Sequence, residues 1–475
     1  MSFRRTQSGS PAGNGLGRRG LLKAAGATAV GATLLSATTG TARAAEAAES
    51  ADVIIIGAGY AGGAVARELA LKGLKPLVLE ARDRIGGRVL SSTWAGAEVE
   101  VGAGWLGPQQ PLIHKELQRY GISTYEDVAA EQMILPGDQG FQALNPSEAL
   151  GTLDQLWGEF YSGSAEYFER PYDPLYRADL LKSVDPLSLA DRLAQLSLSP
   201  TEKQWLNGET AVYSGGSSKV GALTGMAQWI QLSGGSYGTY TTTMSLRPKG
   251  GMIAVLQKML AEAKADIRLN SPVKKVTESG GVVTVETASG AAFTAPAVVV
   301  AVPTNVWKNI TFSPGLPTAH KRATTEGIGI PHATKVWVHV QGNIPPSIAQ
   351  AGEGSPILMM VPQVKTEKGR LYVAFTGPSL DVGNASAFQS AVRQLLPGST
   401  VLEYRAMRWA NEQYTGGGWG LRRPGQLLGL FPAIEEPHGR ILFAGGDIAR
   451  GWHGAFIEGA IESGFRAAGQ AAELV

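Results

Sequence analysis

The stretch Asp52-Val-Ile-Ile-Ile56-Gly57-Ala-Gly59-Tyr60-Ala61-Gly62-Gly63 decides the fold class. Its β-branched apolar run is the pattern of a strand buried on both faces in a parallel sheet. Glycines at 57, 59 and 62 follow at once, and residues 64–71 carry helix formers, with apolar positions at Ala61, Val65 and Leu69. Lys75-Pro-Leu-Val-Leu79 reads as a second strand that ends on Glu80, 21 residues after Gly59. Strand, G-x-G-x-x-G, helix, strand and acid is the order of a dinucleotide site. Gly57 permits the tight turn, Gly59 lets backbone N–H groups approach a pyrophosphate, and Gly62 allows close helix packing. The helix N-terminus favours phosphate charge, and Glu80 can accept from ribose hydroxyls. A bare glycine triplet would be an ordinary turn; the full context points to a dinucleotide.

Working outward, Glu80-Ala81-Arg82-Asp-Arg84-Ile-Gly86-Gly87-Arg88-Val89 continues from the acid. Its glycines and arginine would bring backbone and a guanidinium to a second part of the same cofactor. Val101-Gly-Ala-Gly104-Trp105-Leu-Gly107-Pro108 adds a further turn. Near the C-terminus, Gly439-Arg-Ile-Leu-Phe-Ala-Gly-Gly446-Asp447 reads as an apolar strand, a glycine turn and an acid. Trp452-His453-Gly454-Ala455-Phe456-Ile457-Glu458-Gly459 leads into a last helix. Glu458, Glu462, Arg466 and Gln470 should mark its wet face, and Ile457, Ile461, Gly464 and Ala468 its buried one. In the middle, Arg247-Pro-Lys-Gly250-Gly251-Met252 precedes a helical stretch over 253–265, with strands expected over 281–287 and 297–302. Thr334-Lys335-Val-Trp337-Val-His339-Val340 alternates with period two, so Lys335, Trp337 and His339 share one side. A lysine on a largely apolar strand either lies on a sheet edge facing solvent or has something to receive its charge. Residues 126–245 show helical stretches and turns, with no nucleotide signal.

These segments resemble the flavin monoamine oxidase family, and their wording is nearest to bacterial exported amine oxidases of the nicotine oxidoreductase kind. The resemblance implies an α/β (α+β) protein with two domains. A Rossmann-type FAD-binding domain would be assembled from 52–125, 246–313 and 412–472. A substrate domain, a mixed sheet flanked by helices, would come from 126–245 and 314–411. It further implies that FAD is held by Gly57, Gly59, Tyr60, Ala61, Gly62, Glu80, Ala81, Arg82, Gly87, Arg88, Gly104, Trp105, Val273, Gly446, Asp447, Ala455 and Ile457. Val273 would meet adenine through its backbone, and Ile457 N–H would face the flavin's pyrimidine edge. Asp447 departs from the glutamate usual there. Lys335 would hold a water beside flavin N5, and Trp419 and Phe456 would wall the amine's approach. The segment 452–458 is one residue longer than usual, so Ala455 or His453 are alternatives to Phe456. Trp419 could also be an ordinary core aromatic.

The chain has 475 residues and no cysteine, which excludes disulfides, thiolate metal sites and a cysteinyl flavin link, so the FAD is expected to be non-covalent. Six histidines show no metal-like spacing, and a net charge of +2 gives no nucleic-acid footprint. The first 44 residues hold six basic residues and no acid, so the remainder of the chain is net negative. Arg18-Arg19-Gly-Leu-Leu-Lys23, an Ala/Gly/Thr/Leu run and Ala42-Arg43-Ala44 have the order of a twin-arginine export signal over 1–44. The alternative is an N-terminal anchor, but the run is short and weakly apolar, so no stable membrane anchor is expected.

The expected function is oxidation of an amine C–N bond to an imine, with O2 as acceptor and hydrogen peroxide as product. Alternatives are an amine dehydrogenase passing electrons to a cytochrome and an L-amino-acid oxidase. An FAD-dependent desaturase or a flavin-stabilised binding protein stands further off. The amino-acid reading wants an arginine soon after Gly107-Pro108, where Gln109-Gln110-Pro111 offers none. The resemblance leaves room for a homodimer.

Overall fold

The structure is a computed structural model that describes residues 48–475, so the segment read as an export signal lies outside the described residues. Its centre is a fully parallel five-stranded sheet in the order Asp266–Arg268, Pro76–Leu79, Val53–Ile56, Ala297–Val300, Ile441–Phe443. The three middle strands are buried at every position, as their unbroken apolar sequences require. Helix Tyr60–Leu71 returns across this sheet and packs on the last helix, Ile457–Ala472. The approach is close. A Cβ on Gly464 would lie 2.7 Å from the Ala64 Cβ and 2.8 Å from the Ala61 carbonyl. The small residues of the last helix are therefore needed against the first helix of the nucleotide unit.

A second sheet runs Thr400–Arg408, Thr334–Gln341, Gly369–Thr376, Ile357–Thr366, Ser347–Gln350, Gln132–Gly137, Gly140–Leu144. It is mixed, with Ser347–Gln350 and Gln132–Gly137 parallel and the other pairs antiparallel. Strand Thr334–Gln341 is paired on both sides, so Lys335 is not on an edge. Val336, Val338 and Val340 pack in one core cluster, while Trp337 packs in another with Val99, Val101 and Leu371. The period-two reading of that strand holds. The hairpin Gln132–Leu144 corrects the expectation of helices and turns throughout 126–245: its residues find their partners far away in sequence, at 347–349. Helices Pro146–Phe160, Pro200–Tyr213 and Leu223–Leu232 make up much of the rest of that segment.

The wet face expected on the last helix is corrected at Glu458, while Glu462, Arg466 and Gln470 are part-exposed. Glu458 is buried, and its carboxylate accepts from Leu112 N and Ile113 N at 2.7 and 2.8 Å, capping helix Pro111–Tyr120. Glu462 accepts from Arg450 N at 2.9 Å, and Arg466 donates to the carbonyls of Glu435 and Phe443 at 2.8 and 2.9 Å. A period-four row of polar residues looks alike whether water or backbone satisfies it.

Candidate active site

The C-terminal ends of the parallel strands open into a cavity of about 840 Å3, lined there by Ile56, Leu79, Ala301 and Gly445. This is where open α/β sheets place their ligands. Two helices begin on the cavity, at Tyr60 and at Ile457, and neither has a side-chain cap at its N-terminus. Their first N–H groups are left for a ligand, with the positive end of each helix dipole behind them.

The glycines form a cradle. A Cβ on Gly62 would lie 2.0 Å from the Gly57 carbonyl, so Gly62 is set by packing and does not line the cavity. Gly59 is different: a Cβ there would meet nothing nearer than 4.0 Å, and Gly59 faces the cavity. A Cβ on Gly87 would come within 3.6 Å of the Gly59 Cα, so the two glycine turns, separated in sequence, adjoin. Between them Glu80 is buried and accepts from Ala58 N and Arg82 N, each at 2.9 Å. Arg82 pairs with Glu412 and lies 5.2 Å from the Tyr414 ring. Val273 lines the cavity where the ladder to strand Val282–Thr287 is irregular.

Asp447 is set back from the cavity. Its Oδ2 accepts from Thr304 N and Oγ1, both at 3.1 Å, and its Oδ1 stands 2.8 Å from Arg88 Nη2. Arg88 also donates to the Gly418 carbonyl at 3.0 Å and itself lines the cavity. Asp447 therefore acts on the cavity through Arg88. Of the other residues expected at the cofactor, Gly57, Tyr60, Ala61, Ala81, Gly104, Trp105, Gly446, Ala455 and Ile457 all line it. This donor set, with a glycine cradle, two helix N-termini and a buried acid on one cavity, fits FAD.

The rest of the cavity is mostly apolar. Lys335 lines it at 4% exposure, donating to the Gly102 carbonyl at 2.8 Å and standing 4.3 Å from the centre of the Trp105 ring. Arg247 Cζ lies 4.6 Å from the same ring. The Trp105 indole N–H donates to Asp127 at 2.5 Å, and Asp127 also pairs with Arg247. Burial, then Arg247, pushes the Lys335 ammonium down to about 7, while Glu100 and Asp127 pull the other way. Trp419 lines the cavity, fixed by its N–H to the Tyr213 carbonyl at 2.9 Å and edge-on to Phe375 at 5.7 Å.

Phe456 also lines the cavity, its ring 4.6 Å from Trp452 and 5.3 Å from Trp229. His453 does not: it is fully buried behind, 5.2 Å from Trp229 and accepting that indole N–H at its own carbonyl. The one-residue extension thus leaves Phe456 and Ala455 on the cavity and His453 off it. The sequence reading missed Glu209, Tyr213, Tyr237 and Tyr240, all on the cavity wall. One signal was available: Trp205, Glu209 and Tyr213 recur every four residues, which puts an acid among aromatics on a single helix face.

Comparison with known proteins agrees with this geometry. The family described as flavin containing amine oxidoreductase matches residues 60–472. A nicotine dehydrogenase of Pseudomonas putida is 32% identical over 431 residues, covering 89% of each chain. An (S)-6-hydroxynicotine oxidase of Paenarthrobacter nicotinovorans is 31% identical over 430 residues, covering 87% of this chain and 97% of its own. Among solved structures, wild-type putrescine oxidase bound to putrescine superposes with a TM-score of 0.76 at 22% identity, over 89% of this chain and 99% of its own. It shares the two-domain fold. A glycine cradle that fits FAD and a largely apolar remainder in one cavity, on a chain matched across nearly its whole described length, place this protein in the flavin-containing amine oxidoreductase family, as an FAD enzyme acting on amine groups.

Proposed function

We propose that the chain oxidises an amine to an imine and passes the electrons to O2, forming hydrogen peroxide. The carrying observation is that Lys335 and the Trp419–Phe375 wall line the same cavity as the glycine cradle. Bound FAD supplies the acceptor for a hydride equivalent from the carbon beside nitrogen. Gly59, Gly87, Arg88, Glu80 and the N-termini at Tyr60 and Ile457 would hold it. The protein's own part is to desolvate and orient. An apolar chamber disfavours the ammonium form of the amine, whose lone pair is needed, and Trp419 with Phe456 confines its approach. Lys335 would place a positive charge and a water close to the reacting centre. The segments 52–125, 246–313 and 412–472 serve the cofactor in this reading, and 126–245 with 314–411 shape the substrate side.

The FAD would be non-covalent. The chain has no cysteine, so no cysteinyl link to the flavin can form. Export through the twin-arginine route rests on Arg18-Arg19 and Ala42-Arg43-Ala44. An amino-acid substrate is less well supported, because the cavity's arginines, Arg82 and Arg88, are already paired with Glu412 and Asp447.

A second reading, an amine dehydrogenase using a cytochrome, is favoured by the relative named nicotine dehydrogenase. Anaerobic mixing with an amine panel tests the shared core, since a true substrate bleaches the flavin. Adding O2 or cytochrome c to the bleached enzyme then separates the two acceptors. A flavin that no amine bleaches would overturn both.

A further inference from the structure

One group on the substrate side of the cavity has no part in this reaction. Glu209, on helix Pro200–Tyr213, lines the cavity and is 4% exposed. Its Oε2 accepts from the Tyr237 hydroxyl at 2.6 Å, and among the described residues no cation lies within ion-pair distance of it. The cavity's other acid, Glu80, is already engaged by two backbone N–H groups. A buried carboxylate facing a cavity without a cation is costly in the empty protein and is relieved by a ligand that brings one.

The surroundings suit a cation. Tyr213, Tyr237 and Tyr240 line the cavity with Glu209, and their ring centres are 6.1 Å apart for Tyr213 and Tyr240 and 6.4 Å for Tyr237 and Tyr240. Trp157 stacks on Tyr237 at 5.4 Å and fixes it. A carboxylate attracts an organic cation through charge, and aromatic rings lining the same space add their quadrupoles where a face meets the ligand. The box also lies close to the reaction end. Glu209 and Tyr213 are one helical turn apart, about 6 Å along the axis. The Tyr213 carbonyl receives the Trp419 indole N–H at 2.9 Å. Val212 and Met359, packed with Trp419, supply apolar surface there.

We propose that Glu209, supported by Tyr237, is a specificity-determining residue that receives a second, positively charged nitrogen of the substrate. The enzyme then takes amines that carry a cationic nitrogen a short apolar spacer away from the C–N bond oxidised. This rests on the amine-oxidising reading above. Burial pushes the empty Glu209 carboxyl up to about 7, so a cation that binds at lower pH displaces a proton from it, and binding strengthens as pH rises through neutrality.

The test uses the FAD-loaded full-length enzyme, anaerobically, at pH 8. Flavin bleaching gives the Kd for straight-chain diamines of about three to six carbons and for matched monoamines in which methyl replaces the second ammonium; nicotine is included as an amine whose second nitrogen is uncharged. The diamines should bind at least about thirtyfold more tightly than their partners, the scale of a buried charge contact. Glu209→Gln, which keeps an acceptor for Tyr237, should bring that ratio toward one, and Tyr237→Phe should lower it less. Equal binding in the wild type, or a preference that survives in Glu209→Gln, overturns the proposal. So does bleaching by nicotine or monoamines with none by diamines, and that result leaves the amine reading standing. If no amine bleaches the flavin, the amine reading itself falls and takes this proposal with it. The flavin absorbance of each variant reports whether it folds. If Glu209→Gln loses FAD, the wild-type ratio and Tyr237→Phe decide.

Discussion

The Nζ of Lys335 lies 2.8 Å from the carbonyl oxygen of Gly102, across the boundary between the mixed sheet and the glycine-rich turn at the cavity. Lys335 comes from a strand paired on both sides, and Gly102 from a turn packed so closely on the Arg88 backbone that a Cβ would fall 2.0 Å from the Arg88 carbonyl. The bond therefore holds the Lys335 side-chain nitrogen against the segment that also carries Gly104 and Trp105.

Lys335→Met should leave the fold and the FAD in place, since methionine has similar length and suits the apolar surround. Reoxidation by O2 should slow by about tenfold to a thousandfold, the scale of losing one electrostatic contributor. Bleaching by substrate should slow less. Stopped-flow measurement of both half-reactions checks this. Unchanged reoxidation would mean that the Lys335 charge does not serve the oxygen step.

The same variant has a stability signature. Burial lowers Lys335 from 10.5 to about 7, so between those values the unfolded chain holds a proton that the folded chain has shed. Stability from this group rises with pH across that window, and the penalty is fully present below it. Lys335→Met should therefore raise the Tm more at pH 6 than at pH 10. An equal gain at both would show that the lysine keeps its ordinary affinity for the proton.

Acid precipitation of the purified enzyme should release intact, yellow FAD into the supernatant. The chain has no cysteine and therefore no thiol to tether the flavin. Flavin that stays with the pellet would contradict this.

Changing Arg18-Arg19 to Lys-Lys should stop export and leave uncut precursor in the cell. Fractionation and the precursor's mass decide it. Normal export of the double variant would point to general secretion or an anchor.

The sequence by itself determined the nucleotide unit, because its signals are local. The apolar run 53–56, the glycines at 57, 59 and 62 and Glu80 each answer to the backbone within one strand–turn–helix unit. Period two placed Lys335 and Trp337 on one side of their strand for the same reason. Tertiary structure decided what depends on partners distant in the chain. It paired Thr334–Gln341 on both sides and so made Lys335 buried. It turned Glu458 from a surface residue into the cap of another helix, took His453 off the cavity, and added the hairpin Gln132–Leu144 to the mixed sheet. It also brought Glu209 and Tyr237, 28 residues apart, to 2.6 Å. A helix period shows that Glu209 shares a face with Tyr213; only packing decides whether that face meets water, a core or a cavity. Polar residues carry the least local information, since water, backbone and ligand satisfy them equally well, and these are the residues on which the chemistry of this site depends.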